Sequence, residues 1–178
     1  MNKAIETFRQ DLARWVIPGQ VADERALTPR TVLRLFWQHL PVRAMAWFRL
    51  ACWFKMKRIP YFPGAIQRHI ARAYGLEIPS GADIGGGLYI PHPFGTVIMP
   101  KRIGRNCSVI ANVTIGMRNE WVFPEIGNDV FIGAGARVLG GITLGDQAVI
   151  GANAVVIHDV PAGATAVGIP AKVVGQRG

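Results

Sequence analysis

An aliphatic residue recurs at every sixth position between Ile78 and Val156. Ten of the twelve intervals are six residues long, and the exceptions are seven residues, from Ile90 to Val97, and eleven residues, from Ile115 to Ile126. An amphipathic helix would repeat its apolar face near every 3.6 residues and a half-buried strand every two. A period of six therefore predicts a short strand followed by a tight turn, repeated as the coils of a parallel β-helix. The aliphatic positions are Ile78, Ile84, Ile90, Val97, Ile103, Val109, Ile115, Ile126, Ile132, Val138, Leu144, Ile150 and Val156.

Two further patterns agree with coils of this kind. Glycine follows seven of the aliphatic positions, and it tolerates the positive φ that tight turns require. A small or aliphatic residue also recurs four positions after an aliphatic one, and we expect it to share the interior. These residues are Ala82, Cys107, Val130, Ala136, Ala148 and Ala154.

Charge and glycine content divide the chain near residue 75. Residues 1–75 contain 13 Lys or Arg against 4 Asp or Glu, whereas residues 76–178 contain 7 of each, so the first segment carries the whole net charge of +9. Of the 21 glycines, 18 follow residue 75. The sequence thus predicts a mainly β protein in two parts. A basic, aromatic-rich α-helical segment spans residues 1–75, and a β-helix domain with a C-terminal tail spans residues 76–178.

Local signals predict four helices in the first segment. Apolar residues spaced for one face predict a helix over residues 2–16, which Pro18 and Gly19 terminate. Thr28 and Pro29 are a favourable cap and first residue for a second helix, running toward Leu40. Pro41 begins a third helix, and a fourth runs from about residue 64 to Gly75, a suitable C-cap.

Four of the five tryptophans lie in this helical segment. We interpret it as a helical cap packed on the first coil and on neighbouring subunits. The alternative is a peripheral membrane contact, with aromatic side chains at headgroup depth and cations facing anionic lipid. Nucleic-acid binding is not expected, because no base-reading motif accompanies the charge.

The cysteines and apolar runs indicate the compartment. Cys52 and Cys107 are too few for a disulfide framework or a metal site, so we expect two reduced, buried thiols and no bound metal. No secretory signal opens the sequence, and its apolar runs are far shorter than the ~20 residues of a spanning helix. We therefore expect a cytoplasmic protein, with the inner face of the membrane as the alternative location.

Two interruptions of the six-residue period are candidate functional loops. The first, Pro91 to Gly95, contains His92, the only histidine at an interruption. A neutral imidazole there can take the proton of an attacking alcohol, and a histidine stacked in the turn for packing is the alternative. The second interruption is Gly116 to Glu125. No motif for a Ser-His-acid triad is present, so a covalent acyl-enzyme is not expected.

Residues 78–174 resemble the hexapeptide-repeat acyltransferases, and most closely their serine acetyltransferase-like branch. The resemblance implies a left-handed β-helix, a homotrimer, and acetyl-CoA bound in the groove between adjacent subunits. It also implies that His92 is the general base for direct attack of an acceptor hydroxyl on the thioester. The matching motifs are Ile84-Gly-Gly-Gly-Leu88, Ile90-Pro-His-Pro-Phe-Gly95, Val113-Thr-Ile-Gly116, Pro124-Glu-Ile-Gly127, Ile132-Gly-Ala-Gly-Ala136, Leu139-Gly140, Ile150-Gly-Ala152, Val155-Val156 and Gly168-Ile-Pro-Ala-Lys172.

The resemblance also implies a set of ligand contacts. By their place in the motifs, Gly116, Ala134 and Ala152 offer backbone contacts to the pantetheine arm, and Lys172 lies near the CoA phosphates. The candidate acceptor contacts are Asn112, Arg118, Asn119 and Trp121. The alternative interpretation of these residues is a solvated loop with one hydrophobic anchor.

Two departures from serine acetyltransferases bear on the acceptor. Those enzymes place an aspartate directly before the base, where this chain has Pro91, and a second histidine before the Pro-x-Ile-Gly step, where it has Phe123. Their long amino-terminal helical domain does not obviously match residues 1–75. Relatives with a similar basic, aromatic segment resemble sugar O-acetyltransferases of exopolysaccharide or lipopolysaccharide assembly. We therefore expect a sugar hydroxyl as acceptor, with L-serine as the alternative and a non-enzymatic trimeric scaffold as a second alternative.

Overall fold

The computed structural model describes residues 2–16 and 27–176, and its amino-terminal part is helical. Thr28 caps the second helix by accepting a hydrogen bond from the amide of Thr31, and Gly75 ends the fourth in the left-handed conformation, as the sequence predicts. Pro18 and Gly19, the predicted end of the first helix, lie outside the described residues. The helices are α1 (Asn2–Val16), α2 (Pro29–Gln38), α3 (Leu40–Met56) and α4 (Phe62–Tyr74).

Short parallel strands follow from Leu76 and form three sheets. We call these sheets faces A, B and C; their orders are β1-β3-β6-β9-β12, β2-β4-β7-β10 and β5-β8-β11-β13-β14, and only the β13/β14 pairing is antiparallel among the described strands. The chain visits the faces in rotation, as a parallel β-helix requires. The strands are β1 (Leu76–Glu77), β2 (Asp83–Ile84), β3 (Thr96–Ile98), β4 (Arg102–Ile103), β5 (Ser108–Val109), β6 (Thr114–Gly116), β7 (Glu125–Ile126), β8 (Phe131–Ile132), β9 (Arg137–Leu139), β10 (Thr143–Leu144), β11 (Val149–Ile150), β12 (Val155–Val156), β13 (Ala164–Gly168) and β14 (Ala171–Gln176).

The predicted aliphatic positions line the interior with one exception, Val97. Ile98 is fully buried there and stacks on Ile115, whereas Val97 is half-buried and faces outward. The preceding loop is longer than the next corner of the same edge: eight residues separate Ile90 from Ile98, against six from Val109 to Ile115. Strand side chains alternate between faces, so a slip of one residue exchanges the inward and outward positions. Of the small residues expected inside, Ala82 is partly exposed and the other five are buried.

Two of the three corners turn through left-handed residues on successive coils, whereas the corner between faces A and B has one such residue among those described, Gly140. At the corner between faces C and A, glycine and asparagine alternate from coil to coil. The asparagine side chain occupies the space that glycine leaves: a Cβ on Gly95 would lie 2.2 Å from Oδ1 of Asn112. Asparagine adopts this conformation more readily than most residues. Asn112, a predicted acceptor contact, thus has a structural role as well. The residues of this corner are Gly95, Asn112, Gly135 and Asn153, with φ between 51° and 74°.

A buried ion pair fastens the helices to the first coil. Asp11, only 1% exposed, accepts hydrogen bonds from Nε of Arg49 at 2.7 Å and from the amide of Leu88 at 2.9 Å. Arg49 also donates to the carbonyl oxygens of Ile84 at 2.9 Å and Gly85 at 2.6 Å. Both charges are therefore paired and hydrogen-bonded, which a buried ion pair requires. The pair joins α1 and α3 to the turn that follows β2.

Aromatic and arginine contacts extend this interface onto face C. Trp15 packs against Tyr89 with ring centroids 5.0 Å apart, and Arg14 donates to Oγ of Ser108 at 2.9 Å. One apolar cluster runs without a break from α3 to β13. The helices therefore cover the first coil, as the cap interpretation predicts. None of the described helices combines the length and the apolar character that crossing a bilayer requires.

Candidate active site

His92 lies at the corner between faces C and A, at the head of a column of small residues. Its backbone pairs with Ala111 on the next coil, and the strand registers place Ala134 and Ala152 at the same corner of the two following coils. Coils stack about 4.8 Å apart, so Ala152 lies about 15 Å along the column from His92. The His92 side chain is exposed. Three predicted site residues therefore share one edge of the β-helix.

The backbone of this column leaves amide groups for a ligand. The amides of Gly135 and Asn153 continue the ladder by donating to the carbonyls of Ala111 at 2.7 Å and Ala134 at 2.8 Å. Within the described residues, the amides of Ala134 and Ala152 donate no backbone hydrogen bond. Backbone amides are strong donors, so an extended ligand with amide carbonyls can lie along this edge.

Arg137 fastens the column from face A. Its guanidinium donates to the carbonyl oxygens of Asn112 and Gly135, the second at 2.9 Å, and so joins corner peptides of two adjacent coils. Nothing in the sequence pattern marks Arg137 as part of the site. An arginine at an outward strand position carries no signal of where its guanidinium folds.

The loop that carries His92 is held by the helical segment. The amide of Gly95 donates to the carbonyl of Gly75, the C-cap of α4, at 2.9 Å. The exposed ring of Phe94 lies directly against Gly75. The sequence predicts Gly75 only as a helix end, because nothing in the local pattern links residue 75 to residue 95.

The other two predicted cofactor contacts lie outside this column. Gly116 ends β6 opposite Leu139, on the edge of face A away from His92. Lys172 is exposed in β14, paired with Val167 of β13 in the terminal hairpin. This hairpin follows the last coil, so Lys172 lies beyond the Ala152 end of the column.

The insertion after Gly116 occupies the corner between faces A and B. Val122 packs on the next coil, where a Cβ on Gly141 would lie 3.3 Å from Cβ of Val122. Trp121 is 81% exposed and touches only the edge of the Phe123 ring among the described aromatic residues. Arg118 and Asn119 are also exposed. Within one chain, therefore, the predicted acceptor contacts of the insertion are not brought to His92.

Neither cysteine takes part in this arrangement. Cys52 and Cys107 are unpaired, and burial raises the pKa of each thiol to about 11, so both stay protonated at neutral pH. Cys107 is buried and Cys52 partly exposed. In residues 2–16 and 27–176, no group of three His, Cys, Asp or Glu side chains is arranged to hold a metal ion.

Comparison with known proteins decides the family. The serine acetyltransferase of Helicobacter pylori is 38% identical to this chain over 159 residues, which are 85% of this chain and 93% of that enzyme. The chain belongs to the serine acetyltransferase family. Residues 123–158 also match the family model described as bacterial transferase hexapeptide (six repeats).

Solved serine acetyltransferase structures superpose on nearly the whole chain. The soybean enzyme complexed with serine gives a TM-score of 0.82 at 30% identity, over 98% of this chain and 70% of that one. A serine acetyltransferase in complex with CoA gives 0.79 at 28% identity, over 97% and 70%. A match this long includes the helices. The expectation that residues 1–75 depart from serine acetyltransferases is therefore wrong.

Membership of the serine acetyltransferase family fixes the class of chemistry. The protein is an O-acetyltransferase that takes the acetyl group from acetyl-CoA, as the motifs predict. The alternative of a non-enzymatic scaffold is thereby removed.

Proposed function

We propose that the protein acetylates the hydroxyl of L-serine, with His92 as the general base. The observation that carries the proposal is the place of His92 on an extended corner loop, at the head of the column that offers the Ala134 and Ala152 amides. The choice of acceptor is supported by the names of the relatives and by the superposition on an enzyme complexed with serine. This acceptor replaces the sugar hydroxyl as the first choice.

The reaction needs one base and one acid, and His92 supplies both in turn. Its neutral imidazole takes the proton of the serine hydroxyl as the oxygen attacks the thioester carbon. The tetrahedral intermediate collapses with cleavage of the carbon–sulfur bond. The imidazolium then returns its proton to the CoA sulfur, which leaves O-acetylserine and CoA with the free base restored.

Acetyl-CoA lies along the column in this proposal. The amides of Ala134 and Ala152 bind carbonyl groups of the pantetheine arm, and the cation of Lys172 faces the phosphates beyond the last coil. Gly116 offers a backbone contact from face A. The thioester is thereby directed to the His92 end of the column.

Each site also needs a neighbouring subunit, and we propose a homotrimer. Arg118, Asn119 and Trp121 stand at a different corner from His92, so they reach it only from an adjacent chain. Asn112, one coil below the His92 loop, contributes from the same chain. The outward positions of face C include the large apolar residues Phe131 and Val149 beside Ser108 and Thr165, which favours burying that face between subunits.

The test is CoA release from acetyl-CoA with L-serine as acceptor. We expect His92→Ala to stay folded and to lose about 100-fold or more of the rate, since general base catalysis contributes about 10²–10⁴-fold. The matched control is His158→Ala, which removes an exposed histidine of the polar turn after the last hexad and should keep the rate. Equal rates for His92→Ala and the unaltered protein would remove His92 from the mechanism.

A sugar hydroxyl is the second candidate acceptor, because Pro91 and Phe123 stand where serine acetyltransferases have an aspartate and a histidine. Protein that binds CoA but releases none above the no-acceptor background with L-serine would favour this candidate.

Membrane contact through residues 1–75 stays a separate prediction. It is tested by pelleting with anionic vesicles at moderate salt, and protein left in the supernatant contradicts it. Arg14 and Arg49 cannot contribute, since both are buried against the first coil.

A further inference from the structure

We propose that Gly75, the C-cap of α4, is a positioning residue for the reaction, because it sets the place of the loop that carries His92. This inference rests on the proposed role of His92 as the general base. Gly75 belongs to the helical segment and lies outside the column of Ala134 and Ala152. It therefore acts on the reaction only through the loop.

A hydrogen bond joins the loop to the helix end. The carbonyl of Gly75 accepts from the amide of Gly95 at 2.9 Å, and the following residues, Leu76 and Thr96, begin the pairing of β1 with β3. Gly75 thus supplies the first link of this ladder. The loop ends where that link forms, three residues after His92.

Close packing adds a steric constraint from the same residue. Gly75 has φ of 58°, and a Cβ there would lie 2.9 Å from Cδ1 of Phe94 and 3.2 Å from its Cα. The loop has little room to move away, because on the opposite side the Asn112 side chain fills the space beside Gly95, with Oδ1 2.2 Å from where a Cβ on Gly95 would be. A side chain at residue 75 must therefore push the Phe94 ring aside and shift the Phe94 backbone by a few tenths of an ångström, two residues after the base.

The test is Gly75→Asn. Asparagine tolerates the left-handed conformation, as Asn106, Asn112 and Asn153 already do in this chain, so the Cβ contact with Phe94 is the main change. We expect kcat with L-serine to fall about tenfold, less than the roughly 10²-fold that a misplacement of about 1 Å can cost. The KM for acetyl-CoA should stay within about twofold, because the column lies on other coils. Hydrogen exchange of the peptide spanning residues 91–95 should become faster.

Three comparisons make the outcome decisive. Gly163→Asn replaces another glycine of positive φ, 69°, at the corner between faces B and C of the last coil, and should leave kcat unchanged. Phe94→Ala removes the ring that meets the new Cβ. The double variant Gly75→Asn/Phe94→Ala should therefore have nearly the same kcat as Phe94→Ala alone. The double variant also carries the test if Gly75→Asn does not fold. An unchanged kcat and exchange rate in Gly75→Asn, beside an inactive His92→Ala, would overturn the positioning role and leave the proposed function intact. An active His92→Ala would overturn the proposed function instead.

Discussion

Thr96 follows the His92 loop and buries a hydroxyl group at a cost. It is fully buried, and its Oγ1 has no hydrogen-bond partner in the part of the chain that the structure describes. A buried polar group without a partner costs about 1–3 kcal/mol. We therefore expect Thr96→Val, which keeps the shape and removes the hydroxyl, to raise the free energy of unfolding by about 1 kcal/mol.

Thermal or urea unfolding at a fixed protein concentration measures this change. Thr114→Val is the matched control, because Thr114 is only half-buried on the same face and its substitution should stay within about 0.5 kcal/mol of zero. Loss of stability in Thr96→Val would mean that the hydroxyl has a partner.

Between elements, the junction of the helices with the first coil depends on Asp11. Replacing Asp11 with Ala leaves the charge of Arg49 buried and unpaired and removes the acceptor of the Leu88 amide. Breaking a buried pair in this way costs about 3–5 kcal/mol. We expect Asp11→Ala to lower the free energy of unfolding by that amount, measured by urea denaturation followed by circular dichroism.

Glu6→Ala provides the comparison on the same helix, because Glu6 is exposed and its loss should cost less than about 0.5 kcal/mol. Replacing both partners, as in Asp11→Leu/Arg49→Met, should cost less than Asp11→Ala, because no lone charge remains buried. Equal stability of Asp11→Ala and Glu6→Ala would show that the pair does not hold the helices.

The same elements show what local patterns predict and what they leave out. The cap at Thr28, the end at Gly75 and the interior coils follow from residues within one turn or one hexad, and the structure confirms them. The inward position of Ile98 does not, because the hexad count assigns the longer His92 loop one residue too few. The pairing of Asp11 with Arg49 joins residues 38 apart in sequence. This pairing depends on how α1 and α3 pack against the first coil, which no local pattern predicts.

The candidate site also contains some residues that the sequence predicts and others that depend on how the coils pack. The sequence predicts His92 because this residue interrupts a regular period, and the family resemblance implies Ala134 and Ala152 by their place in its motifs. Arg137 and Gly75 are placed by hydrogen bonds to other coils, which a single sequence does not display. The insertion was correctly identified as a departure from the period, but its separation from His92 emerges only when the coils are stacked.

For the whole molecule, the polarity of the faces predicts how subunits meet. Outward residues on face B are charged or polar, such as Arg102 and Thr143, whereas face C presents Phe131, which is 41% exposed. Phe131→Lys should therefore disrupt the proposed trimer, because a buried unpaired ammonium is costly, while Thr143→Lys on face B should not. Light scattering checks this against three times the chain mass of 19.4 kDa. In the proposed trimer, Arg118, Asn119 and Trp121 reach His92 from an adjacent chain, so Phe131→Lys should also lose acetyl transfer while its circular dichroism stays unchanged. A Phe131→Lys protein that remains an active trimer would exclude face C from the subunit contact.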